Sequence, residues 1–125
     1  MPEYKIVPLV LGDLELDKSY MMYFMQCGTK ITIPIVSFYI EGPEKNILVD
    51  TGCPAEVMKK YWPEPVKDIQ TFEEALNKVG LKPEDIDIVI QTHLHFDHCG
   101  NTAKCTKAKV VVLSLIHISE PTRPY

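Results

Sequence analysis

One segment of six residues contains three of the four histidines of this 125-residue chain, together with one carboxylate. Its sequence is His93-Leu94-His95-Phe96-Asp97-His98. Imidazole nitrogens and carboxylate oxygens are the usual ligands of zinc and similar divalent cations. Four donors packed this closely cannot all bind one ion without strain, but they can be divided between two. The segment therefore favours a two-metal hydrolytic site over a structural zinc site.

The histidine segment directly follows the alternating apolar stretch 86–90, which predicts a strand buried on at least one side. Side chains at i and i+2 of an extended chain point the same way, so His93 and His95 can approach one ion together. Asp97 and His98 come where the chain must turn, and the turn directs them toward a neighbouring position suited to a second ion.

The bulk composition is that of an ordinary globular domain. Hydrophobic residues make up 46% of the chain and charged residues 24%, which argues against a disordered chain. The formal net charge is −4 and there is no basic run, so we expect no nucleic acid partner. No stretch approaches the roughly 20 apolar residues of a membrane span, and we find no signal region at the N-terminus. We therefore expect a cytoplasmic protein with no membrane partner.

The pattern of residues along the chain predicts a mixed α+β fold. Residues 4–16 alternate loosely around a Gly-Asp pair, which predicts two strands joined by a turn. Segment 31–40 is rich in β-branched residues and predicts a strand, with Pro34 at an edge or bulge. A short buried strand at 47–49 then delivers Asp50 to a loop.

Two helices are predicted between these strands and the histidine segment. The first covers 55–62 and is followed by two prolines, which end it. The second covers 72–79, because Thr71 and Glu74 have the spacing of a capping box and a glycine follows the last turn.

Segment 20–25, with the sequence Tyr-Met-Met-Tyr-Phe-Met, combines sulfur and aromatic side chains. We predict that it packs in the hydrophobic core. The alternative is a flexible apolar wall of a substrate pocket, since methionine adapts to varied ligands.

The four cysteines leave open a different kind of metal site. They contain no Cys-x-x-Cys pair, so free thiols are expected in a reducing compartment. Cys99 adjoins the histidine segment, however, and a structural zinc site made of His95, His98, Cys99 and Cys105 is an alternative. Such a chain would be a small zinc-binding interaction module with no open coordination position.

Two motifs resemble those of one known family. Residues 92–101, Thr-His-Leu-His-Phe-Asp-His-Cys-Gly-Asn, resemble the metal-binding loop of the metallo-β-lactamase superfamily. Residues 47–52, Ile-Leu-Val-Asp-Thr-Gly, resemble an earlier motif of the same superfamily. They occur in the family's order and are separated by predicted helical sequence.

Within the superfamily, the likeness is greatest to the N-acyl homoserine lactonase-like branch. It is carried by the opening residues 4–9, by segment 33–35 and by the continuation at 98–101. The resemblance covers residues 4–112. It implies that residues 1–112 are the N-terminal half of an αββα sandwich, and therefore an incomplete domain.

The resemblance implies a dinuclear metal-dependent hydrolase of small lactone or ester substrates. It places His93 and His95 on a first metal and Asp97 and His98 on a second, with Asp50 nearby as a supporting residue that orients a ligand. Asp97 and the supporting Asp50 are thus the candidate catalytic residues. The two divalent ions are expected to be zinc, with iron, cobalt or manganese as alternatives. Thioester hydrolysis and nucleic acid processing are alternative activities within the superfamily.

The last residues of the chain depart from the family pattern. The family adds a further histidine, a bridging aspartate and a last histidine, whereas here only His117 follows His98 and no aspartate follows Asp97. Residues 113–125 match one reading frame of a common transposon-based sequencing adapter. We therefore expect this tail to be non-native, and His117 is not assigned as a ligand.

Loss of the family's second half would affect both stability and activity. The remaining chain would supply the first sheet and at most part of the second, which would leave apolar surface exposed and favour aggregation. Two donors per ion hold a metal weakly, so the isolated chain is predicted to be inactive. The apolar face in question is predicted to contain Ile35, Ile47, Val49, Ile88 and Ile90.

Overall fold

The computed structural model describes residues 2–112, which contain one six-stranded mixed sheet. The strands are β1 (Lys5–Asp17), β2 (Lys30–Glu41), β3 (Asn46–Val49), β4 (Val66–Asp68), β5 (Ile88–Gln91) and β6 (Lys109–Val112). Their order in the sheet is β4-β1-β2-β3-β5-β6. The α-helices are α1 (Ala55–Met58), α2 (Phe72–Asn77) and α3 (Phe96–Cys99). Short 3₁₀ helices occupy Lys18–Tyr20, Pro83–Asp85 and Thr102–Lys104. The predicted α+β class is confirmed.

The first strand is continuous, so the prediction of two strands joined by a turn is wrong. β1 pairs antiparallel with β2 along its whole length, with a register shift around Leu11. The extra residue changes the parity of the strand, so Leu9 and Leu14 are both buried although they differ by an odd number of positions. This break in alternation is the feature that the sequence pattern presented as a turn.

Gly12 in β1 has a packing role rather than a turning one. It pairs with Asp68 of the short edge strand β4, and a Cβ at this position would overlap the carbonyl oxygen of Lys67. A glycine therefore allows the β4 backbone to approach β1 closely.

One face of the sheet packs against α1 and α2 to form the hydrophobic core. Leu48 and Val89 of the sheet and Met58 and Leu76 of the helices are all fully buried. The predicted second helix is confirmed at its start with its capping box, in which the Thr71 hydroxyl accepts from the amide of Glu74 at 3.0 Å, but it ends at Asn77 rather than at residue 79. The first helix is shorter than the predicted 55–62, because only Ala55–Met58 is α-helical before the chain continues in turns.

The opposite face of the sheet is apolar and partly exposed over residues 2–112. Phe38, Val49 and Ile90 lie side by side on β2, β3 and β5, and Phe38 and Ile90 are 41% and 36% exposed. The assignment of Ile35 to this face is wrong, because Ile35 is 3% exposed and packs in the core on the helical side.

Segment 20–25 does not pack in the core, so that prediction is wrong. Its side chains are exposed, with Tyr23 at 88% and Phe24 at 78%. Tyr20 and Met21 lie at the wall of a cavity described below, as the alternative interpretation expected.

The pairing of β3 with β5 positions the site. The two strands are parallel neighbours, so their carboxyl ends, Val49 and Gln91, meet at one edge of the sheet. Asp50 and the histidine segment follow directly from these ends. Within residues 2–112, the helices are all too short to cross a membrane. The predicted adapter-derived tail, 113–125, lies outside the described residues and stays a prediction.

Candidate metal centre

Asp50 lies beneath the histidine segment because its backbone turns sharply at the end of β3. Its φ of 59° is in the left-handed region, which aspartate tolerates better than most residues. Its amide still donates to the carbonyl of Ile90 at 2.9 Å, so β3 remains paired with β5 up to this point. The turn directs the Asp50 carboxylate toward the start of the next loop.

The Asp50 carboxylate accepts hydrogen bonds from three residues of that loop and strand end. Oδ1 accepts from the amide of Thr92 at 2.9 Å and from the side-chain amide of Gln91 at 3.2 Å. Oδ2 accepts from the Thr92 hydroxyl at 2.8 Å and lies 2.8 Å from Nδ1 of His98. Burial raises the pKa of Asp50, but the hydrogen bonds from Thr92 and His98 outweigh it and bring the pKa below its ordinary value.

The three histidine rings of the segment lie together, with His93 between the other two. The centroid of His93 is 4.0 Å from that of His98 and 4.6 Å from that of His95, to which it is nearly perpendicular. Nδ1 of His93 lies 3.0 Å from the Thr92 hydroxyl. Nδ1 of His93 and Nδ1 of His98 thus each lie within hydrogen-bond distance of an oxygen atom. Histidines that bind a metal through Nε2 commonly have such a partner at Nδ1.

The geometry of Asp97 and His98 fits a shared metal ion. Oδ2 of Asp97 lies 3.4 Å from Nε2 of His98. Two ligand atoms that each lie about 2.1 Å from one tetrahedral ion are separated by about 3.4 Å. The spacing of these two donors is therefore compatible with one shared ion, and their assignment to a second metal stays a prediction.

No group of three or more His, Cys, Asp or Glu side chains within residues 2–112 is arranged to hold a metal ion. The four-ligand Cys/His module is therefore not assembled there. Cys105 is buried in the core, where burial raises its pKa to about 11, and the Cys99 thiol donates to the carbonyl of Leu94 at 3.6 Å. The predicted pairs of donors, two for each ion, remain as the candidate metal-binding arrangement.

The histidine segment contributes polar side chains to the wall of a largely apolar cavity of about 660 Å³. His93, His95, Asp97 and His98 all line it. The apolar part of its wall includes Leu14, Leu16, Tyr20, Met21, Trp62 and Phe96. The cavity offers a ligand both imidazole and carboxylate side chains and a hydrophobic surface.

Sequence reasoning missed a set of buried polar residues around Asp50. Gln91 is 1% exposed, Thr51 is fully buried, and Asn101 is 2% exposed. A glutamine at the end of an otherwise apolar strand was the available signal, because a buried amide must find hydrogen-bond partners.

The sequence matches the model of the metallo-beta-lactamase superfamily over residues 32–123, which is more than half of the chain. Together with the fold and the clustered histidines, this match defines the class of protein: the chain belongs to the metallo-beta-lactamase superfamily.

Individual relatives show which members of the superfamily this chain is similar to. An N-acyl homoserine lactonase of Bacillus cereus is 29% identical over 112 residues, which cover 81% of this chain and 45% of the relative. The crystal structure of a quorum-quenching N-acyl homoserine lactone lactonase has a TM-score of 0.74 and 26% identity, over 95% of this chain and 49% of that one.

A third relative was solved with a ligand. It is an N-acyl homoserine lactone hydrolase with the product N-hexanoyl-L-homoserine at its catalytic metal centre. Its TM-score is 0.69 and its identity 25%, over 96% of this chain and 52% of that one. This chain therefore spans about half the length of the relatives that it matches.

Proposed function

We propose that this chain contributes the first half of the active site of a dinuclear metal-dependent hydrolase that acts on lactones, as an N-acyl homoserine lactonase does. The observation that carries the proposal is that His93, His95, Asp97 and His98 together line one largely apolar cavity. The similarity to lactonases, one of them with a product bound at its metal centre, supports the choice of substrate.

In this proposal the chain's own side chains have separate roles. His93 and His95 bind one ion, and Asp97 and His98 bind the other through atoms 3.4 Å apart. Asp50 holds Nδ1 of His98 and so leaves Nε2 for the metal. Divalent ions held there would polarise the substrate carbonyl and lower the pKa of water. Zinc is the expected metal, with iron, cobalt or manganese as alternatives.

The cavity wall supports a substrate with a hydrocarbon part. Leu14, Leu16 and Trp62 line the same cavity as the candidate metal-binding residues. An ester or lactone carbonyl placed at the histidine segment would leave an attached acyl chain against this surface. Burial of apolar surface would then contribute about 25 cal/mol per Å² to binding.

The test uses the full-length product of the natural gene that contains residues 1–112. We expect it to bind two metal ions and to hydrolyse N-hexanoyl homoserine lactone, and we expect a chelator to abolish this activity and zinc to restore it. Thioester substrates assayed in parallel separate the two hydrolytic classes. Turnover that is unaffected by complete removal of metal would contradict the proposal.

Two further measurements complete the test. Asp97→Asn should abolish turnover, whereas Asp13→Asn on β1 should leave it unchanged. Resequencing of the gene beyond codon 112 tests the proposal that residues 113–125 are adapter-derived. A natural reading frame that lacks an additional histidine and aspartate would contradict the dinuclear site.

A further inference from the structure

We infer that Gln91 is a positioning residue, whose buried amide orients both the Asp50 carboxylate and the backbone of His98 so that His98 presents Nε2 to the metal position. The inference rests on the proposed function, because the metal position is part of that proposal. It adds a residue that no resemblance assigned, at the last position of β5.

The two hydrogens of the Gln91 amide reach two different parts of the site. Nε2 lies 3.2 Å from Oδ1 of Asp50 and 3.0 Å from the carbonyl oxygen of His98. The first contact holds the Asp50 carboxylate, which in turn holds the His98 ring. The second contact holds the His98 backbone. The amide therefore holds both ends of the Asp50–His98 contact.

The orientation of the amide follows from its neighbours. Both partners of Nε2 are acceptors, so a flipped amide would bring three acceptor oxygens together. On the other side, Oε1 of Gln91 accepts from the Thr102 hydroxyl. Thr102 Oγ1 then has no hydrogen left to donate, so it accepts from the Thr51 hydroxyl 3.0 Å away.

The contacts thus form one directed series across the site. The backbone amide of Asn101 donates to the Thr51 hydroxyl at 3.2 Å. The series of hydrogen bonds then continues through the side chains of Thr102 and Gln91 to the Asp50 carboxylate. An ionised Asp50 only accepts, so the His98 nitrogen 2.8 Å away must carry the hydrogen. This selects the Nδ1–H tautomer of His98 and leaves the lone pair on Nε2, where a metal binds.

A purely structural glutamine would explain the burial of Gln91, since buried amides are almost always hydrogen-bonded. It would not set the tautomer of His98, however. The tautomer is therefore the property that distinguishes a positioning role from simple packing, and it is measurable without any metal.

The experiment records long-range ¹H–¹⁵N correlations of the histidine rings in the metal-free full-length product of the gene that contains residues 1–112, at about pH 8, above the ordinary imidazole pKa of about 6.5. We expect the Nδ1–H tautomer for His98 in the unmodified chain. Gln91→Met preserves length but removes both donors, and it should convert His98 to a mixture of tautomers. Gln70→Met is the matched control, because that glutamine donates to the carbonyl of Val10 instead.

Thr102 provides a second pair of variants in case Gln91→Met does not fold. Thr102→Val removes the hydroxyl that orients the Gln91 amide and should also mix the tautomers, whereas Thr102→Ser should retain the Nδ1–H form. Equal tautomer populations in folded Gln91→Met and the unmodified chain would overturn the inference. If only the Thr102 variants fold, equal populations in those two would overturn it.

A cobalt titration of the same proteins separates this inference from the proposed function. Loss of an oriented partner typically weakens metal binding about 10- to 100-fold, which is the change expected for Gln91→Met. If the unmodified full-length protein binds no cobalt while the tautomer changes as expected, the metal centre is refuted and the positioning role is supported. If cobalt binds and the tautomer does not change, the positioning role is refuted and the metal centre stands.

Discussion

Oδ2 of Asp50 lies 2.8 Å from Nδ1 of His98, although the two residues are 48 positions apart in the sequence. Parallel pairing of β3 and β5 creates the contact by bringing both strand ends to one edge of the sheet. The Asp50 side chain is only 8% exposed. This carboxylate is therefore the structural support of the histidine segment.

Replacing Asp50 by asparagine should destabilise the chain. Asparagine tolerates the left-handed backbone, so the substitution removes the carboxylate without adding backbone strain. Asparagine keeps one acceptor oxygen but replaces the other with an NH₂ group, so the Thr92 hydroxyl and Nδ1 of His98 lose their acceptor, at an expected cost of about 1–3 kcal/mol in the free energy of unfolding. Urea denaturation measures the change.

Asp13→Asn is the matched control for that substitution. The Asp13 carboxylate takes part in no hydrogen bond or ion pair recorded among residues 2–112, so a change below about 0.5 kcal/mol is expected. Equal effects of the two substitutions would show that the Asp50 carboxylate contributes nothing specific.

The stabilisation that Asp50 provides should be lost in acid. Its pKa in the folded chain is below the ordinary value of 3.8, so as the pH falls the unfolded chain takes up a proton first. Acid therefore favours unfolding through this group, and its contribution is complete above the ordinary pKa and disappears as the pH falls through the folded value. Denaturation curves of the unmodified chain and Asp50→Asn should thus converge at low pH. A stability difference that grows on acidification would contradict this assignment.

Asp97 and His98 should act on metal binding as one unit. Because Oδ2 of Asp97 and Nε2 of His98 are spaced to share an ion, Asp97→Asn and His98→Gln should each weaken cobalt affinity about tenfold or more. The double variant should lose less than the sum of the two losses. Cobalt titrations followed by visible absorption measure all four proteins.

The four proteins form a double-mutant cycle. A second cycle, which combines Asp97→Asn with His93→Gln, is the comparison, because these two residues are assigned to different ions. Their effects should add within about 0.5 kcal/mol. Additive losses in the Asp97–His98 cycle, together with non-additive losses in the Asp97–His93 cycle, would reverse the assignment of ligands to ions.

The cysteines should differ strongly in their reaction with a disulfide reagent. Cys53 and Cys105 are buried, and burial raises the pKa of each thiol to about 11. The thiolate is the reactive form, so both should react only when the chain unfolds, whereas the exposed Cys27 should react first. Ellman's reagent with and without urea measures the rates. If Cys99 and Cys105 were protected from the reagent and a chelator removed this protection, the result would instead support the Cys/His zinc module.

Gly100→Ala should disturb the loop that carries the histidines. A Cβ at Gly100 would lie 2.6 Å from Cβ and 2.8 Å from Cα of Cys53, and the Gly100 amide donates to the carbonyl of Gly52 at 2.8 Å. The two backbones would have to separate, at a cost of about 1–3 kcal/mol in unfolding free energy. Thermal unfolding and cobalt affinity should both decrease.

Gly42→Ala is the control for this close approach. Its Cβ would meet only the side chain of Tyr4, which is 60% exposed and free to move aside. A change below about 0.5 kcal/mol is expected. If Gly100→Ala were equally harmless, the tight packing of the two loops would be refuted.

Local patterns predicted several elements correctly. The capping box of Thr71 and Glu74 gave the start of α2, and the apolar run before Asp50 gave β3. Pro34 lies in the part of β2 that pairs with β1 alone, since β3 pairs only with residues 38–41. These predictions succeed because neighbours in sequence determine propensity, capping and the loss of an amide donor.

Non-local pairing explains the predictions that failed. The bulge at Leu11 changes which side chains face the core, and only the partner strand reveals that a continuous ladder forms there. Segment 20–25 has a core-like composition, but its backbone has positive φ at Tyr23 and Phe24, and those side chains are exposed. Composition alone carries no information about either event.

The amino-acid sequence by itself determined the chemistry of the candidate site: three imidazoles and a carboxylate within six residues, directly after a buried strand, and a second carboxylate after another. The tertiary structure decided which of these groups meet. Asp50 reaches His98 and Gln91 only because β3 and β5 pair in parallel and bring segments far apart in the chain to one sheet edge. Residue types are local properties of a chain, whereas the partners of a buried polar group depend on how distant segments fold against each other.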